Sequence, residues 1–110
     1  KAVIIKRGEY GSIMLSEDDC FIAPAYPVAY VKDPTGAGDS FAGGILGYLD
    51  GIEKFTPQAL RKAIVHGTIM ASYTVSEFSI DGLRSLNKAN IAQRYQEFKG
   101  LTQFEDKENT

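Results

Sequence analysis

The sequence has little of what marks secreted, membrane-spanning or nucleic-acid-binding proteins. Its one cysteine, Cys20, excludes an internal disulfide framework and suits a reducing cytoplasm. The 12 Lys and Arg nearly balance the 14 Asp and Glu, and no basic stripe is present, so nucleic acid and acidic membrane surfaces are poor candidate partners. The longest uncharged stretch, residues 63–76, is shorter than the ~20 residues that span a bilayer. These absences favour a cytoplasmic protein with no nucleic-acid or membrane partner.

The chain also lacks an initiator methionine. It opens with Lys1 and continues directly into an apolar run, with no signal-peptide pattern. We interpret it as the C-terminal piece of a longer chain, and we expect part of the active site to lie in the preceding segment. Its 110 residues, 44% of them apolar, suffice for one small domain or a part of a larger one. Residues 1–102 are predicted to form the structured portion, and residues 103–110 a charged tail.

The order of predicted elements indicates an α/β fold. Ala2–Ile5 is a short apolar, β-branched run, which predicts a buried central strand. After residue 39 the apolar residues recur at helical spacing, and Thr56 and Asn87 are predicted to cap later helices. Strands followed by helices are typical of the C-terminal part of a layered α/β fold. Further strands are predicted at residues 12–15, 20–23 and 28–31, and helices at residues 39–49, at residues 57–73 and after Asn87.

A glycine-rich turn between the last predicted strand and the first predicted helix carries the chemistry. Gly36, Ala37 and Gly38 let backbone N–H groups approach a ligand closely, and the helix N-terminus adds positive potential. This combination suits a phosphate group. Asp39 follows directly, and a general base beside a phosphate site is what phosphoryl transfer to a hydroxyl requires. The alternative is that Asp39 only stabilises the helix dipole, as most aspartates at helix starts do.

Two common nucleotide-binding motifs do not fit this turn. The dinucleotide fingerprint G-x-G-x-x-G is satisfied by Gly36 and Gly38, but Phe41 occupies the third glycine position. The P-loop requires Gly-Lys-Ser/Thr, and no lysine follows Gly38. The turn therefore belongs to neither class.

The segment from Asp33 to Gly44, DPTGAGDSFAGG, resembles the C-terminal signature D-x-x-G-A-G-D-[ST]-F of the ribokinase-like (PfkB) sugar kinase family. The match is long and ungapped. Upstream, Lys6–Gly11 is similar to the G-x-x-G turn at a strand end of that family. The resemblance implies that this chain is the nucleotide-binding end of a ribokinase-like fold, since family members are considerably longer.

The resemblance implies roles for the matching residues. Asp39 would be the base that takes the proton from the acceptor hydroxyl. The amides of Gly36, Ala37 and Gly38 would hold the transferring γ-phosphoryl as an anion hole. Nucleotide contacts are implied for Lys6, Gly8, Glu9, Gly11, Gly38 and His66.

The resemblance also implies ATP and Mg²⁺ as cofactors and a homodimer formed through the segment that precedes Lys1. Asp33 and the Thr35 carbonyl match positions that bind a monovalent cation such as K⁺ in many members. The sequence departs from the family after the second predicted helix, where residues 75–79 read VSEFS instead of a glycine-containing cation segment. This departure weighs against a potassium-type site.

Other chemically capable residues have simpler explanations. His66 is expected to be a packed or half-exposed histidine, with a contact to adenine as the alternative. Cys20 is expected to be a buried structural thiol. The acidic residues 17–19 are expected to be a solvated hairpin tip. Three glycines within the first predicted helix, Gly43, Gly44 and Gly47, indicate close packing against the sheet or the nucleotide.

The function expected from the sequence is ATP-dependent phosphorylation of a hydroxyl on a sugar or sugar-like substrate. A nucleoside such as adenosine is the alternative acceptor. A different class of function is also open, namely a catalytically inactive fragment that binds a nucleotide or another anion. An intact base and cradle favour the kinase, since a decayed site is not expected to retain both.

Overall fold

The computed structural model describes residues 2–28, 36–76 and 87–104. Strands come first in these residues and helices afterwards, which confirms the predicted order. Val28 is not part of a strand, and the rest of the strand predicted at residues 28–31 lies outside the described residues. The elements are β1 (Ala2–Lys6), a 3₁₀ turn (Gly8–Tyr10), β2 (Ser12–Ser16), β3 (Cys20–Ala23), α1 (Ala37–Leu49), α2 (Pro57–Ser76) and α3 (Lys88–Thr102).

The three strands form an antiparallel sheet in the order β1-β2-β3, and one of its faces packs on the helices. Residues opposite each other on neighbouring strands share a face, and the faces alternate along each strand. Met14 pairs with Ile4 on one side and Phe21 on the other, and Met14 is only 1% exposed. Ala23 is buried in the same core cluster. This face therefore anchors the helices.

The prediction that β1 is a buried central strand is wrong for the described part of the chain. All five of its residues are exposed, and Val3 retains 51% of its accessible surface. The physical reason is its position: β1 is an edge strand that pairs only with β2 among the described residues. The apolar run therefore predicts the strand correctly but not its burial.

The face of the sheet that points away from the helices is also apolar. Ile5, Ile13 and Ile22 lie side by side across the three strands, and Ile22 is 69% exposed. Val3 and Leu15 continue this face in the next row, and both are exposed. We call these five residues the outer apolar face; no described residue buries it.

Cys20 is exposed, so the prediction of a buried thiol is wrong. It pairs with Leu15 across β2 and β3 and therefore lies on the side of the outer apolar face. Its apolar neighbour Phe21 points to the opposite side, toward the core. Apolar residues follow Cys20 in the sequence, but the alternation of the strand places its side chain on the uncovered side.

The closest contact between helices joins α1 and α2 through two glycines. A β-carbon on Gly44 would lie 2.7 Å from the Gly67 Cα, and one on Gly67 would lie 2.6 Å from the Phe41 carbonyl oxygen. Phe41 and Ile45 of α1 are buried beside this contact and pack with Ile64 of α2. Of the three α1 glycines that were expected to pack closely on the sheet or the nucleotide, Gly44 does pack closely, but on α2. The prediction is wrong for Gly43 and Gly47, which have nothing within 4 Å of their β-carbon positions.

The helix starts follow the capping residues. The Thr56 hydroxyl accepts a hydrogen bond from the Ala59 amide at 3.1 Å, and the Asn87 side chain accepts one from the Asn90 amide at 2.8 Å. Both predicted N-caps are confirmed. The first helix begins two residues before its predicted start, at Ala37, and α2 continues to Ser76 instead of ending near residue 73.

An aromatic cluster docks α3 on the remainder of the chain. Phe98, 2% exposed, stacks on Tyr26, and the Tyr26 hydroxyl donates a hydrogen bond to the Glu97 carboxylate at 2.6 Å. The Arg94 guanidinium lies over the rings of Tyr26 and Tyr73 at 4.8 and 3.7 Å. Cation–π and stacking contacts thus attach α3 to α2 and to the segment after β3.

The prediction that residues 17–19 form a solvated acidic hairpin tip is confirmed only for the first two of them. Asp19 accepts hydrogen bonds from the guanidinium of Arg61 on α2, one of them at 2.8 Å from Nε, so it is not merely solvated. The hydrogen bonds from Arg61 lower the pKa of the Asp19 carboxyl. Glu17 and Asp18 are exposed. The bidentate pair fixes the β2–β3 hairpin against α2.

Of the helices that the structure describes, none combines the length and the apolar character needed to cross a membrane.

The two-glycine contact makes a testable prediction about stability. Gly67→Ala places a methyl group against the Phe41 carbonyl and the Ile45 side chain, and overpacking of this kind costs about 1–3 kcal/mol. Gly47→Ala is the matched control, since no atom lies within 4 Å of its β-carbon position and alanine favours a helix by roughly 0.5–1 kcal/mol. Urea denaturation should show opposite signs for the two variants. Equal effects would contradict the packing described.

Candidate active site

The first turn of α1 presents an unsatisfied set of backbone donors. Gly36 is the N-cap and has a left-handed backbone with φ of 85°, a conformation that favours glycine. The first backbone bond of the turn runs from the Ser40 amide to the Gly36 carbonyl at 2.9 Å. The amides of Ala37, Gly38 and Asp39 precede it and have no intrahelical partner. We call these three amides the α1 cradle.

A lysine from the sheet reaches the α1 cradle. The Lys6 ammonium lies 3.2 Å from the point that a β-carbon on Gly38 would occupy. Lys6 is the last residue of β1, so the end of this strand and the start of α1 meet at one point. The structure therefore brings together two groups of residues that the sequence analysis implicated separately. Asp39 lies in the same first turn and is exposed.

A pair of hydroxyls attaches the first turn of α1 to α2. The Ser40 and Thr74 hydroxyl oxygens lie 2.6 Å apart, and the Thr74 methyl lies 3.8 Å from the β-carbon position of Gly36. Thr74 is buried near the end of α2. The sequence did not predict this pair. A hydroxyl inside a helix can bond either to the backbone carbonyl four residues earlier or to a distant side chain, and the local sequence does not distinguish the two.

The two glycines of the turn after β1, Gly8 and Gly11, differ in what surrounds them. Gly8 and Gly11 both have positive φ, 57° and 92°, which confirms that the backbone there requires glycine. A β-carbon on Gly11 would overlap the Ala23 carbonyl oxygen, so this glycine is needed for the chain's own packing. Gly8 has open space around it. Of the two, Gly8 leaves room for a ligand, and Glu9 beside it is exposed.

His66 lies in the middle of α2, half-buried, as expected for a packed histidine. Its ring stacks on Tyr48 with centroids 4.7 Å apart and on Tyr95 at 5.2 Å. Burial lowers the pKa of the imidazole, which favours the neutral ring. Thr74, which contacts the first turn of α1, is eight residues further along α2, so His66 lies about 12 Å from that point along the helix axis.

A shallow apolar groove of about 330 Å³ begins at His66 and follows one side of α3. Most of the surface that lines this groove is apolar. Tyr95 is half-buried and lies at the wall of this groove. The lining residues are His66, Lys88, Ile91, Ala92, Tyr95 and Gln96.

Metal ligation was predicted at Asp33 and Thr35, and both lie outside the described residues. Among residues 2–28, 36–76 and 87–104, no three or more His, Cys, Asp or Glu side chains come close enough together to hold a metal ion. Asp39 is the acidic residue in the first turn of α1.

Comparison with curated proteins gives two kinases. The chain is 35% identical over 75 residues to a nucleoside kinase of Methanocaldococcus jannaschii, with 67% of this chain and 23% of that protein covered. It is 36% identical over 74 residues to an inositol 3-kinase of Arabidopsis thaliana, with 66% and 19% covered. The chain thus spans about a fifth of the length of these relatives.

Comparison with solved structures gives the same fold. The crystal structure of aminoimidazole riboside kinase from Salmonella enterica, complexed with aminoimidazole riboside and an ATP analogue, superposes with a TM-score of 0.73 and 26% sequence identity. The match covers 84% of this chain and 31% of that one. This likeness confirms the predicted fold, the C-terminal part of a ribokinase-like α/β layer structure.

The sequence model of one family, described as pfkB family carbohydrate kinase, matches residues 1–82. The match includes β1, the glycine turn, the α1 cradle and all of α2. Since it extends over well more than half of the 110 residues, the chain belongs to the pfkB family of carbohydrate kinases.

Proposed function

We propose that this protein transfers the γ-phosphoryl group of ATP to a hydroxyl of a sugar or a nucleoside. The observation that carries the proposal is the Lys6 ammonium beside Gly38 at the start of α1. A cation at the N-terminus of a helix is repelled by the helix dipole, so the arrangement is unfavourable unless an anion binds between them. Three free amides, a dipole and an ammonium together suit a polyphosphate.

The α1 cradle and Asp39 would have different roles in phosphoryl transfer. The amides that follow Gly36 would hold the γ-phosphoryl oxygens and stabilise the charge that spreads over them in the transition state. The Asp39 carboxylate, exposed in the same turn, would accept the proton of the acceptor hydroxyl. The Ser40–Thr74 hydroxyl pair supports this assignment, because it fixes the first turn of α1 on α2.

The remainder of the nucleotide would extend from the α1 cradle along α2. The distance of about 12 Å between the first turn of α1 and His66 supports a base contact at His66, since the phosphates and ribose lie between. Gly8 and Glu9 would lie against the nucleotide next to Lys6. Gly11 contributes through the shape of the turn, given its contact with Ala23.

The proposal also includes two kinds of metal ion. Mg²⁺ would be held by the phosphate oxygens and would supply charge neutralisation during transfer. Asp33 and Thr35 would hold a monovalent cation such as K⁺. A cytoplasmic location is proposed from the single cysteine and the composition, and a homodimer from the family resemblance alone.

The acceptor class has two candidates. The two curated relatives are a nucleoside kinase and an inositol kinase, so both a nucleoside and a cyclic polyol or sugar are represented among similar proteins. The rival function, a nucleotide-binding fragment without transfer, would leave the Asp39 carboxylate without a chemical role.

The reaction itself can be tested directly. The full-length protein that contains these residues should release ADP from ATP and Mg²⁺ in the presence of one member of a panel of pentoses, hexoses, inositols and nucleosides, and coupled detection of ADP measures this release. ADP release that no acceptor stimulates, together with measurable ATP binding, would support the inactive fragment instead.

The base assignment predicts the effect of Asp39→Asn. The amide keeps the shape of the side chain but cannot accept the proton, so turnover should fall about 10²–10⁴-fold while ATP affinity changes little. Asp50→Asn, at the C-terminal end of the same helix, is the matched control and should keep full turnover. Steady-state rates and ATP titration calorimetry measure both. An Asp39→Asn variant with normal turnover would leave Asp39 as a dipole-stabilising residue only.

The lysine assignment predicts opposite effects on binding and stability. Lys6→Met should weaken binding of ATP, because one charge-assisted contact of roughly 1.5–3 kcal/mol is lost. The free protein should become slightly more stable, by about 0.3 kcal/mol, since a cation leaves the positive end of α1. Lys99→Met, in the last turn of α3, should do the reverse to stability and leave binding intact. Calorimetry and thermal melting test the pair. Unchanged ATP affinity in Lys6→Met would remove Lys6 from the site.

A further inference from the structure

The hydroxyl of Ser12 is buried without a hydrogen-bond partner. Ser12 is the first residue of β2 and is only 4% exposed, and no described residue bonds to its side-chain oxygen. Buried polar atoms nearly always have a partner, because leaving one unpaired costs free energy. The position of Ser12 in the sheet indicates which group supplies a partner when a ligand binds.

Ser12 lies directly opposite Lys6 on the side of the sheet that faces the helices. The two residues pair across β1 and β2, and they share the face of Met14, which is two residues further along and buried in the core. The next pair along the ladder is hydrogen-bonded, from the Arg7 amide to the Gly11 carbonyl at 2.7 Å. Because the two kinds of pair alternate, Lys6 and Ser12 form a non-hydrogen-bonded pair, in which the side chains are closest.

Lys6 extends from this pair to the start of α1. Its ammonium lies 3.2 Å from the β-carbon position of Gly38 and carries three N–H donors. The flexible four-carbon stem of a lysine allows its ammonium to donate a hydrogen bond to the hydroxyl of the residue directly opposite. The unpaired Ser12 oxygen and the cation at the α1 cradle are therefore within reach of each other.

We propose that Ser12 is a positioning residue for Lys6, with its hydroxyl accepting one hydrogen bond from the ammonium while the other donors hold phosphate oxygens at the α1 cradle. This inference rests on the proposed function and adds a residue to it. Anion binding fixes the ammonium in this arrangement, so the hydroxyl is unpaired in the free protein and paired in the complex. The free energy of the hydrogen bond then contributes to binding and not to folding.

Ser12→Ala should therefore change stability and binding in opposite directions. Loss of the unpaired hydroxyl should raise the melting temperature of the anion-free protein by about 2–4 °C. The affinity for inorganic tripolyphosphate should fall about three- to tenfold, the contribution of one hydrogen bond. Thermal melting and titration calorimetry of the full-length protein that contains these residues measure both.

Two variants of β2 serve as controls. Ser12→Thr keeps the hydroxyl on a residue that favours strands, so it should keep the affinity for tripolyphosphate. Ser16→Ala removes a hydroxyl from the same face at the other end of β2 and should leave this affinity unchanged.

A double-mutant cycle with Lys6→Met tests whether the hydroxyl acts through the lysine. Without the ammonium, Ser12→Ala should no longer weaken tripolyphosphate binding, although it should still raise the melting temperature. A hydroxyl that only supports the sheet would lower the melting temperature when removed, and its effect on binding would not depend on Lys6.

The outcomes separate the role of Ser12 from the proposed function. A full-length protein that binds neither ATP nor tripolyphosphate would overturn both. If Lys6→Met weakens tripolyphosphate binding and Ser12→Ala does not, the α1 cradle and its lysine stand and the role of Ser12 is overturned. That role is also overturned if Ser12→Ala melts lower than the unaltered protein, as expected for a hydroxyl paired with a buried water, or if its effect on affinity persists without Lys6.

Discussion

The close approach of α1 and α2 is the constraint on which the remainder of the structure depends. At Gly44 and Gly67 the two helix backbones touch with no side chain between them. This contact lets Phe41 reach the core under the sheet and brings the start of α1 within hydrogen-bonding distance of Thr74. A larger residue at either glycine would separate the helices and move the catalytic candidate Asp39 with them. The packing of α1 on α2 therefore also determines the geometry of the candidate site.

The electrostatics at the start of α1 show a balance between stability and binding. The free amides and the Lys6 ammonium concentrate positive potential at one point, which the free protein tolerates at a cost. Asp39 offsets part of this cost, because a carboxylate in the first turn of a helix is favourable. In the proposed function the same carboxylate would therefore both stabilise the free protein and accept the proton of the acceptor hydroxyl. These two roles do not exclude each other, although the sequence presents them as alternatives.

The sequence predicted local structure correctly but did not predict which residues are buried. Capping at Thr56 and Asn87, and the position of Asp39 at a helix start, follow from residues within one helical turn and were predicted correctly. Exposure of β1 and of Cys20 depends on which surfaces meet at long range, which no local pattern specifies. In the candidate site the sequence predicted the positive backbone angles of Gly8 and Gly11 and the place of Asp39 in the first turn of a helix, and the roles of these residues stay predictions. The Ser40–Thr74 pair and the rings around His66 join distant segments, so spacing along the chain could not indicate them.

The outer apolar face has a consequence for how this chain behaves in solution. Its five aliphatic side chains lie beside β1, whose outer edge carries backbone donors and acceptors that no described strand satisfies. An apolar surface next to an open strand edge promotes pairing with any extended chain that it meets. For a molecule made of these 110 residues alone, such encounters are second order, so its lifetime as a separate molecule shortens as its concentration rises.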